Sequence, residues 1–292
     1  MNALKEDIQL LMFYGRPSGP AHFISIIGSQ KLNRKSYTPQ KVHIDSGEVF
    51  AAVTLRDPDL PEAGNMALHV CVDPAAVMQN REALAKSLDL PLSRWALPWQ
   101  KHTDKLHEIR SEEAGAGAFD KDTSIMDFDA VWTSEPALLT GVFTADCCGL
   151  VFYDPVTPLV GAIHSGWKGT ASEITRKTME KLIREGKLHP ESTQVWFSPS
   201  LLFDSLEVGL EVVEALKPIQ AFQEQYVRYD GNGKAHIDNQ GLNRQMLLDA
   251  GIPAENIHTS DMDTITRPDC FSYRRDKPTG EHFSYIFLRP AS

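Results

Sequence analysis

Cys147 and His164 lie in the stretch richest in reactive side chains, residues 144–170 (TADCCGLVFYDPVTPLVGAIHSGWKGT). Leu139–Phe143 reads as a strand that delivers Ala145-Asp146-Cys147 at its end. Leu150–Tyr153 and Leu159–Ile163 read as the next two strands, and the second runs into His164. Adjacent strands would bring the thiol and the imidazole together. His102, in Trp99-Gln-Lys-His-Thr, offers a third donor from a loop. One Cys and two His suit Zn²⁺ or copper, and three protein ligands leave the open position that a catalytic metal needs. The spacing His-x44-Cys-x16-His is not that of a zinc finger. The same Cys–His pair would also serve as a thiolate nucleophile with its base, oriented by Asp146 or another carboxylate. His102 separates the two chemistries, because a hydrolase dyad has no use for it.

Cationic residues near these segments could hold an anion. Gly166-Trp-Lys168-Gly169 opens a predicted helix, and a helix N-terminus attracts anions. Arg56 follows the Val49–Leu55 strand, and Arg274 and Arg275 sit in Phe271-Ser-Tyr-Arg-Arg-Asp. For each of these a plain structural role competes: a tight turn at residues 166–169, and a solvated turn for the adjacent arginines. Asn80 falls on the inward face of its helix and would order a loop.

The elements that position these groups follow from pattern. Further strands are expected at His22–Ile27, Met66–Val72, Ala130–Thr133, Gln194–Phe197 and Phe283–Leu288. Asp73-Pro74 opens a helix that runs to about Leu88. Thr170-Ala-Ser-Glu173 has the form of a capping box before a helix stopped by Gly186. Gln240–Ala250 is a helix stopped at Gly251, and another falls within Leu210–Tyr226, interrupted at Pro218. Residues 28–46, 57–65 and 110–127 read as long loops, the first with a hairpin as the alternative. Strand-like segments continue on both sides of each, so they are not interdomain linkers. The expectation is one α/β (α+β) domain over 1–292, with mixed sheets flanked by helices.

Composition narrows the function. With 29 Lys+Arg against 39 Asp+Glu the net charge is −10, which opposes non-specific binding to nucleic acid or anionic lipid. Four cysteines in 292 residues do not make a disulfide scaffold. The N-terminal residues carry early acidic groups and no secretory core, and no apolar run reaches a membrane span. The chain therefore reads as a soluble cytoplasmic protein. Nothing in the sequence marks an oligomer interface.

TADCCGLVFYD…VGAIHSGWKGT resembles the signature of the YfiH family, which has been called polyphenol oxidase or laccase-like and also purine nucleoside phosphorylase. Asn65-Met-Ala-Leu-His-Val, Asp73-Pro74, Asn80-Arg81, Gln100-Lys-His102 and Phe271-Ser-Tyr-Arg-Arg-Asp…Thr279-Gly are similar to its other motifs. The resemblance covers about residues 49–288 and leaves 1–48 as an N-terminal extension with a first strand and a polar loop. Three departures stand out. Asp57-Pro-Asp-Leu-Pro replaces a Gly-Gly-x-Ser turn, Ser198-Pro-Ser-Leu replaces Gly-Pro-x-Ile, and Lys168 stands where Arg is frequent. They fall in expected substrate-facing loops.

The resemblance implies that His102, Cys147 and His164 bind one zinc, in a layered α/β fold like that of cysteine-hydrolase (deamidating) toxins. It also implies phosphorolysis of adenosine, inosine, guanosine and methylthioadenosine, deamination of adenosine, and phenol oxidation with copper. In that reading Asp146 shuttles protons. Asn65 joins Arg56, Lys168, Arg274 and Arg275 as substrate- or phosphate-binding residues, and the partners are purine nucleosides and phosphate. Two rivals remain. One is a copper phenol oxidase, which usually needs several coppers although no His-x-His pair occurs here. The other is a non-catalytic nucleoside- or precursor-binding protein with a structural zinc.

Overall fold

In the computed structural model, residues 40–290 are described. The expected strand His22–Ile27 and most of the 28–46 loop lie outside them. In chain order the elements are β1 (Gln40–Asp45), β2 (Val49–Thr54), α1 (Pro74–Leu88), β3 (Pro98–Trp99), β4 (Leu106–Glu108), β5 (Ile125–Met126), β6 (Ala130–Thr133) and β7 (Thr140–Thr144). There follow β8 (Cys148–Asp154), β9 (Leu159–Ser165), α2 (Trp167–Ala171), α3 (Ile174–Arg184), β10 (Gln194–Phe197), β11 (Glu207–Gly209) and α4 (Leu210–Leu216). The last are β12 (Val227–Tyr229), β13 (Lys234–Ile237), α5 (Asn239–Asp249), β14 (Ile257–His258), α6 (Tyr273–Asp276) and β15 (His282–Leu288).

Two sheets dominate this mixed α/β fold. One has the order β1-β2-β15-β7 and is antiparallel throughout. The other runs β14-β10-β8-β9-β6-β4, antiparallel in the middle, with a short parallel strand at each edge. The side-chain period of two explains their stacking. On β2 and β15, Val49, Ala51, Ile286 and Leu288 share a core with Val131, Val151, Val160 and Trp196 of the second sheet. The opposite faces, carrying Phe50, Phe143, Phe283 and Tyr285, pack with Leu84 and Ala85 of α1. Leu150, Phe152 and Ile163 on the far side of the second sheet meet α3 and α5 through Ile174, Met179, Leu182 and Leu247. The layers are therefore helix, sheet, sheet, helix. Both faces of the central strands are covered, so they read as unbroken apolar runs rather than as alternation. Each fully buried Leu, Ile or Phe contributes about 1.5–3 kcal/mol of transfer free energy.

Several elements match expectation. Asp73 caps α1 by accepting from Ala75 N–H, with Pro74 at the first position. Gly186 (φ +66°) stops the α3 segment, and Gly251 (φ +91°) ends α5. Others differ. Met66–Val72 is not a strand, because Asn65, Asn80 and Arg81 hold the backbone at its buried start, residues 65–67, through side-chain hydrogen bonds. The capping box at 170–173 is absent. Thr170 lies inside α2 and gives its hydroxyl to Asn239, while Glu173 adopts a left-handed conformation between α2 and α3. Residues 40–45 of the expected loop form edge strand β1, with a bulge between Val42 and Ile44. A third sheet, β11-β13-β12, packs on α4 and α5 around Val213, Leu216, Ile237 and Leu242. Its three- and four-residue strands leave too short a pattern to read. Among the described residues no helix is long and apolar enough to cross a membrane.

His282, fully buried at the start of β15, accepts from Phe271 N–H on Nε2 (3.0 Å) and lies 2.7 Å from the Thr54 carbonyl on Nδ1. That pairing requires the neutral ring with its proton on Nδ1. Burial pushes the group down to about 4 from the usual 6.5, against the raising effect of the Thr54 carbonyl. Below pH 6.5 the unfolded chain binds a proton that the folded chain refuses, so stability falls as pH drops from about 6.5 towards 4. Denaturant titrations of wild type and His282→Gln across that window should differ in the loss of stability by about 3 kcal/mol, the variant losing less.

Candidate metal centre

The β8–β9 ladder pairs Cys148 with Ser165 and Gly149 with His164, which sets the register between the two strands. His164 thus sits buried near the end of β9, and Cys147 is half-buried in the turn between β7 and β8. His102 comes from the loop after β3 and is exposed. The ligand atoms of His102, Cys147 and His164 all lie within 4.8 Å of one another. The two imidazoles meet edge to face, with ring centroids 4.7 Å apart. A tetrahedral zinc with bonds of about 2.0–2.3 Å separates its ligand atoms by about 3.5 Å, so modest side-chain adjustment closes the set. Two nitrogens and one sulfur fit zinc or copper by donor chemistry.

Two loops had to be brought to β9 to build this set. Gln100 does part of the work. Its amide donates to the Phe143 carbonyl (2.8 Å) and accepts from Phe143 N–H (2.7 Å), so the side chain stands in for a strand on the outer edge of β7. Asp129, just before β6 and fully buried, does the rest. One carboxylate oxygen lies 2.8 Å from His164 Nδ1 and accepts from His102 N–H. The other accepts from the N–H groups of Lys101 and Thr103 and from the Thr103 hydroxyl. The carboxylate both winds the 101–103 loop around itself and fixes the His164 ring, leaving Nε2 to face the thiol. Asp129 carries no sequence motif of its own. The signal that could have found it is an acidic residue directly before a strand that neighbours the histidine strand.

Electrostatics follow from these contacts. Burial opposes ionisation of Asp129, but His164 and the loop amides outweigh it and hold the carboxyl at about 2. Burial also opposes a thiolate at Cys147, yet hydrogen bonds with His102 and His164 bring it down to about 7. Burial lowers His164, and Asp129 and Cys147 together raise it above the usual imidazole range. The thiolate is the form that ligates a metal, and His164 must release its Nε2 proton on binding, so metal affinity should rise with pH. Gly166 packs over the thiol. A Cβ there would lie 2.7 Å from Cys147 Sγ and 3.3 Å from the His102 ring. Two non-glycine residues at the centre adopt positive φ, His102 at +57° and Asp146 at +87°.

The other residues named from sequence spread outwards. Asp146 accepts from the Thr264 hydroxyl and from Arg274 N–H, both at 2.6 Å, so both of its carboxylate oxygens are engaged. Arg275 spends its guanidinium on Asp276 and on the carbonyls of Thr264, Ile265, Arg267 and Cys270. It clamps a loop rather than standing in a solvated turn, and Tyr273–Asp276 forms a helical turn. Arg274 is exposed and donates to the Ser205 and Glu207 carbonyls. Arg56 donates to the Pro268 carbonyl and, with Arg275 and Asp276, lines a cavity of about 240 Å³. Lys168 is exposed over the Trp167 ring. α2, which follows Gly166, has only five residues, too short to present a strong dipole end to an anion. Asn65 is fully buried, its amide oxygen accepting from Ala67 N–H and Glu281 N–H. It shapes the turn rather than reaching a surface.

Residues 57–289 match the family model described as multi-copper polyphenol oxidoreductase laccase. The chain belongs to this family. Family relatives carry other names as well. A purine nucleoside phosphorylase, YlmD of Bacillus subtilis, is 30% identical over 250 residues, covering 84% of this chain and 90% of its own. An adenosine deaminase, RL5, from an unknown prokaryotic organism is 33% identical over 224 residues, 76% of this chain and 81% of its own. The crystal structure of a Bacillus licheniformis hypothetical protein YfiH superposes with a TM-score of 0.79 at 29% identity, covering 85% of this chain and 99% of that one. The YfiH resemblance and the layered α/β expectation are borne out by these matches.

Replacing Asp129 by Asn keeps the volume but turns an amide against the loop N–H groups. Zinc affinity, read by competition with a chromogenic chelator, should fall about 10- to 100-fold in Asp129→Asn. The same assay on wild type should show tighter binding from pH 6 to pH 8.

Proposed function

We propose that the chain is a zinc-dependent purine-nucleoside enzyme. In this reading it phosphorolyses adenosine, inosine, guanosine and methylthioadenosine, and deaminates adenosine. The observation that carries the reading is the three-donor set with one exposed member, His102, beside the buried His164. Such a set holds a metal on its inner side and leaves room for a reactant on the outer one. The names borne by the relatives supply the substrate class.

Zinc held by His102, Cys147 and His164 would supply Lewis acidity at its open side. The chain's own residues do the remaining work. Asp129 keeps His164 in one tautomer and stops the ring from turning. Gly166 closes over the thiol and leaves no room there for a further side chain. Arg56 is the residue we assign to the phosphate co-substrate, because its guanidinium lines the cavity next to the loop that Arg275 clamps. Thr264 links that loop to Asp146, the residue before Cys147, through a hydrogen bond. In phosphorolysis, phosphate attacks the anomeric carbon as the bond to the base breaks. A guanidinium suits that step because it holds the anion in a fixed orientation. Asp146, tied on both oxygens, serves this reading by positioning Cys147. A proton shuttle there would first have to give up one of those bonds.

Copper is the second metal that the donor set favours, and the family's description points the same way. Among the described residues one His/Cys group of three donors is found, which matches a mononuclear centre. A nucleoside panel with and without phosphate, on a batch whose metal content is measured, tests the whole reading. Adenosine should yield adenine only when phosphate is present and inosine without it. His102→Ala and Cys147→Ala should each lose at least about a hundredfold in kcat/KM. Full activity in both variants would end the proposal. Turnover lost on chelation with an unchanged melting curve would reject the structural-zinc reading.

A further inference from the structure

A second cavity, of about 390 Å³, opens beside the metal loop and is lined by Trp99, Lys101, Lys121, Asp122 and Met126. Its floor is a strand pairing: Trp99 and Met126 are register partners in the β3–β5 ladder. The indole carries two ammonium groups, Lys101 Nζ at 4.9 Å and Lys121 Nζ at 5.5 Å from the ring centroid. His69 packs against the same ring at 5.6 Å, and it is held by Glu281 at 3.0 Å. Trp99 is therefore a fixed platform for two like charges that would otherwise repel. Only Lys121 has a counter-charge, Asp122 at 3.4 Å, and no ion pair engages Lys101 among the described residues. The lining keeps a net positive charge in a chain whose overall charge is −10.

We propose that this cleft is a phosphate-group subsite, distinct from the Arg56 cavity. Two ammonium groups at one indole, both lining the same cavity, suit a tetrahedral dianion, which has oxygens enough to accept from both. Lys101 and His102 are consecutive, so their Cα atoms are 3.8 Å apart by covalent geometry. The cleft therefore adjoins the loop that carries one of the three donors. The inference deepens the proposed function, and the choice of phosphate over other anions rests on that reading. The phosphate has two sources of the same chemistry, the ester of a nucleoside monophosphate and free inorganic phosphate.

Calorimetric titration of the zinc-loaded full chain, carrying Arg56→Ala throughout so that the assigned co-substrate site is silent, with inorganic phosphate, adenosine 5′-monophosphate and adenosine tests it without a turnover readout. One or both phosphates should bind. Lys121→Glu should weaken that binding about tenfold or more, and Lys121→Arg should restore most of it. Monophosphate binding about tenfold tighter than inorganic phosphate would mark the ester as the ligand, and equal affinity would mark the free anion. Adenosine affinity should stay the same in Lys121→Glu. Phosphate binding that is indifferent to Lys121→Glu, in protein with a wild-type melting curve, would overturn the subsite. The two proposals fail separately: Lys121-dependent binding without nucleoside turnover would sink the proposed function alone.

Discussion

A single buried carboxylate holds the centre together. Asp129 accepts from three consecutive backbone N–H groups, a hydroxyl and an imidazole, so its charge is met from every side. A buried carboxylate without such partners would neutralise itself or unfold its surroundings. Here the dependence runs both ways. The loop bearing His102 needs the carboxylate to fold inwards, and the carboxylate needs the loop to stay ionised. His164 then inherits a fixed ring orientation from the same group. Two ligands that lie 62 positions apart are thereby set by one side chain.

The sheets deliver what Asp129 coordinates. β9 supplies His164, the turn into its neighbour β8 supplies Cys147, and the Gln100 amide seats the loop bearing His102 on β7. Behind β9 a buried polar chain joins Ser165, Thr170, Asn239, Asn243 and Thr175. Asn239 also donates to the Ser165 carbonyl and to Cys148 Sγ. Each of these groups has its partner, so the network specifies one docking of α2, α3 and α5 on the sheet rather than weakening it. The positive φ at His102 and Asp146 costs about 1–3 kcal/mol each, and that cost persists only where surrounding contacts over-determine the backbone.

Much of this was legible before any coordinates. Central strands such as Ala130–Thr133 and Gln194–Phe197 show as apolar runs because both of their faces are covered. The α1 cap shows because Asp-Pro chemistry is local. Cys147 and His164 stand out because strand ends place them together. The failures share a cause: the deciding partner is remote in sequence. Met66–Val72 has strand composition, but Arg81 claims the Met66 carbonyl and Asn80 that of Asn65 just before it. Thr170 has capping composition, but Asn239, 69 residues on, takes its hydroxyl. Arg275 looks like a surface cation until the carbonyls of residues 264–270 wrap it. Asp129 looks like any acidic residue in a turn until the 101–103 loop and the His164 ring close on it.

Among the described residues, the margins of the two large sheets are blunt. In the six-stranded sheet they are β14 and β4, of two and three residues. In the four-stranded one, β1 is broken by its bulge and β7 is covered by the Gln100 amide. Rows of unpaired backbone donors and acceptors are what recruit a foreign chain into cross-β association, and short, kinked or occupied rims give such growth little to start from. The many apolar strands of the described residues are thus sealed at the rims as well as across their faces.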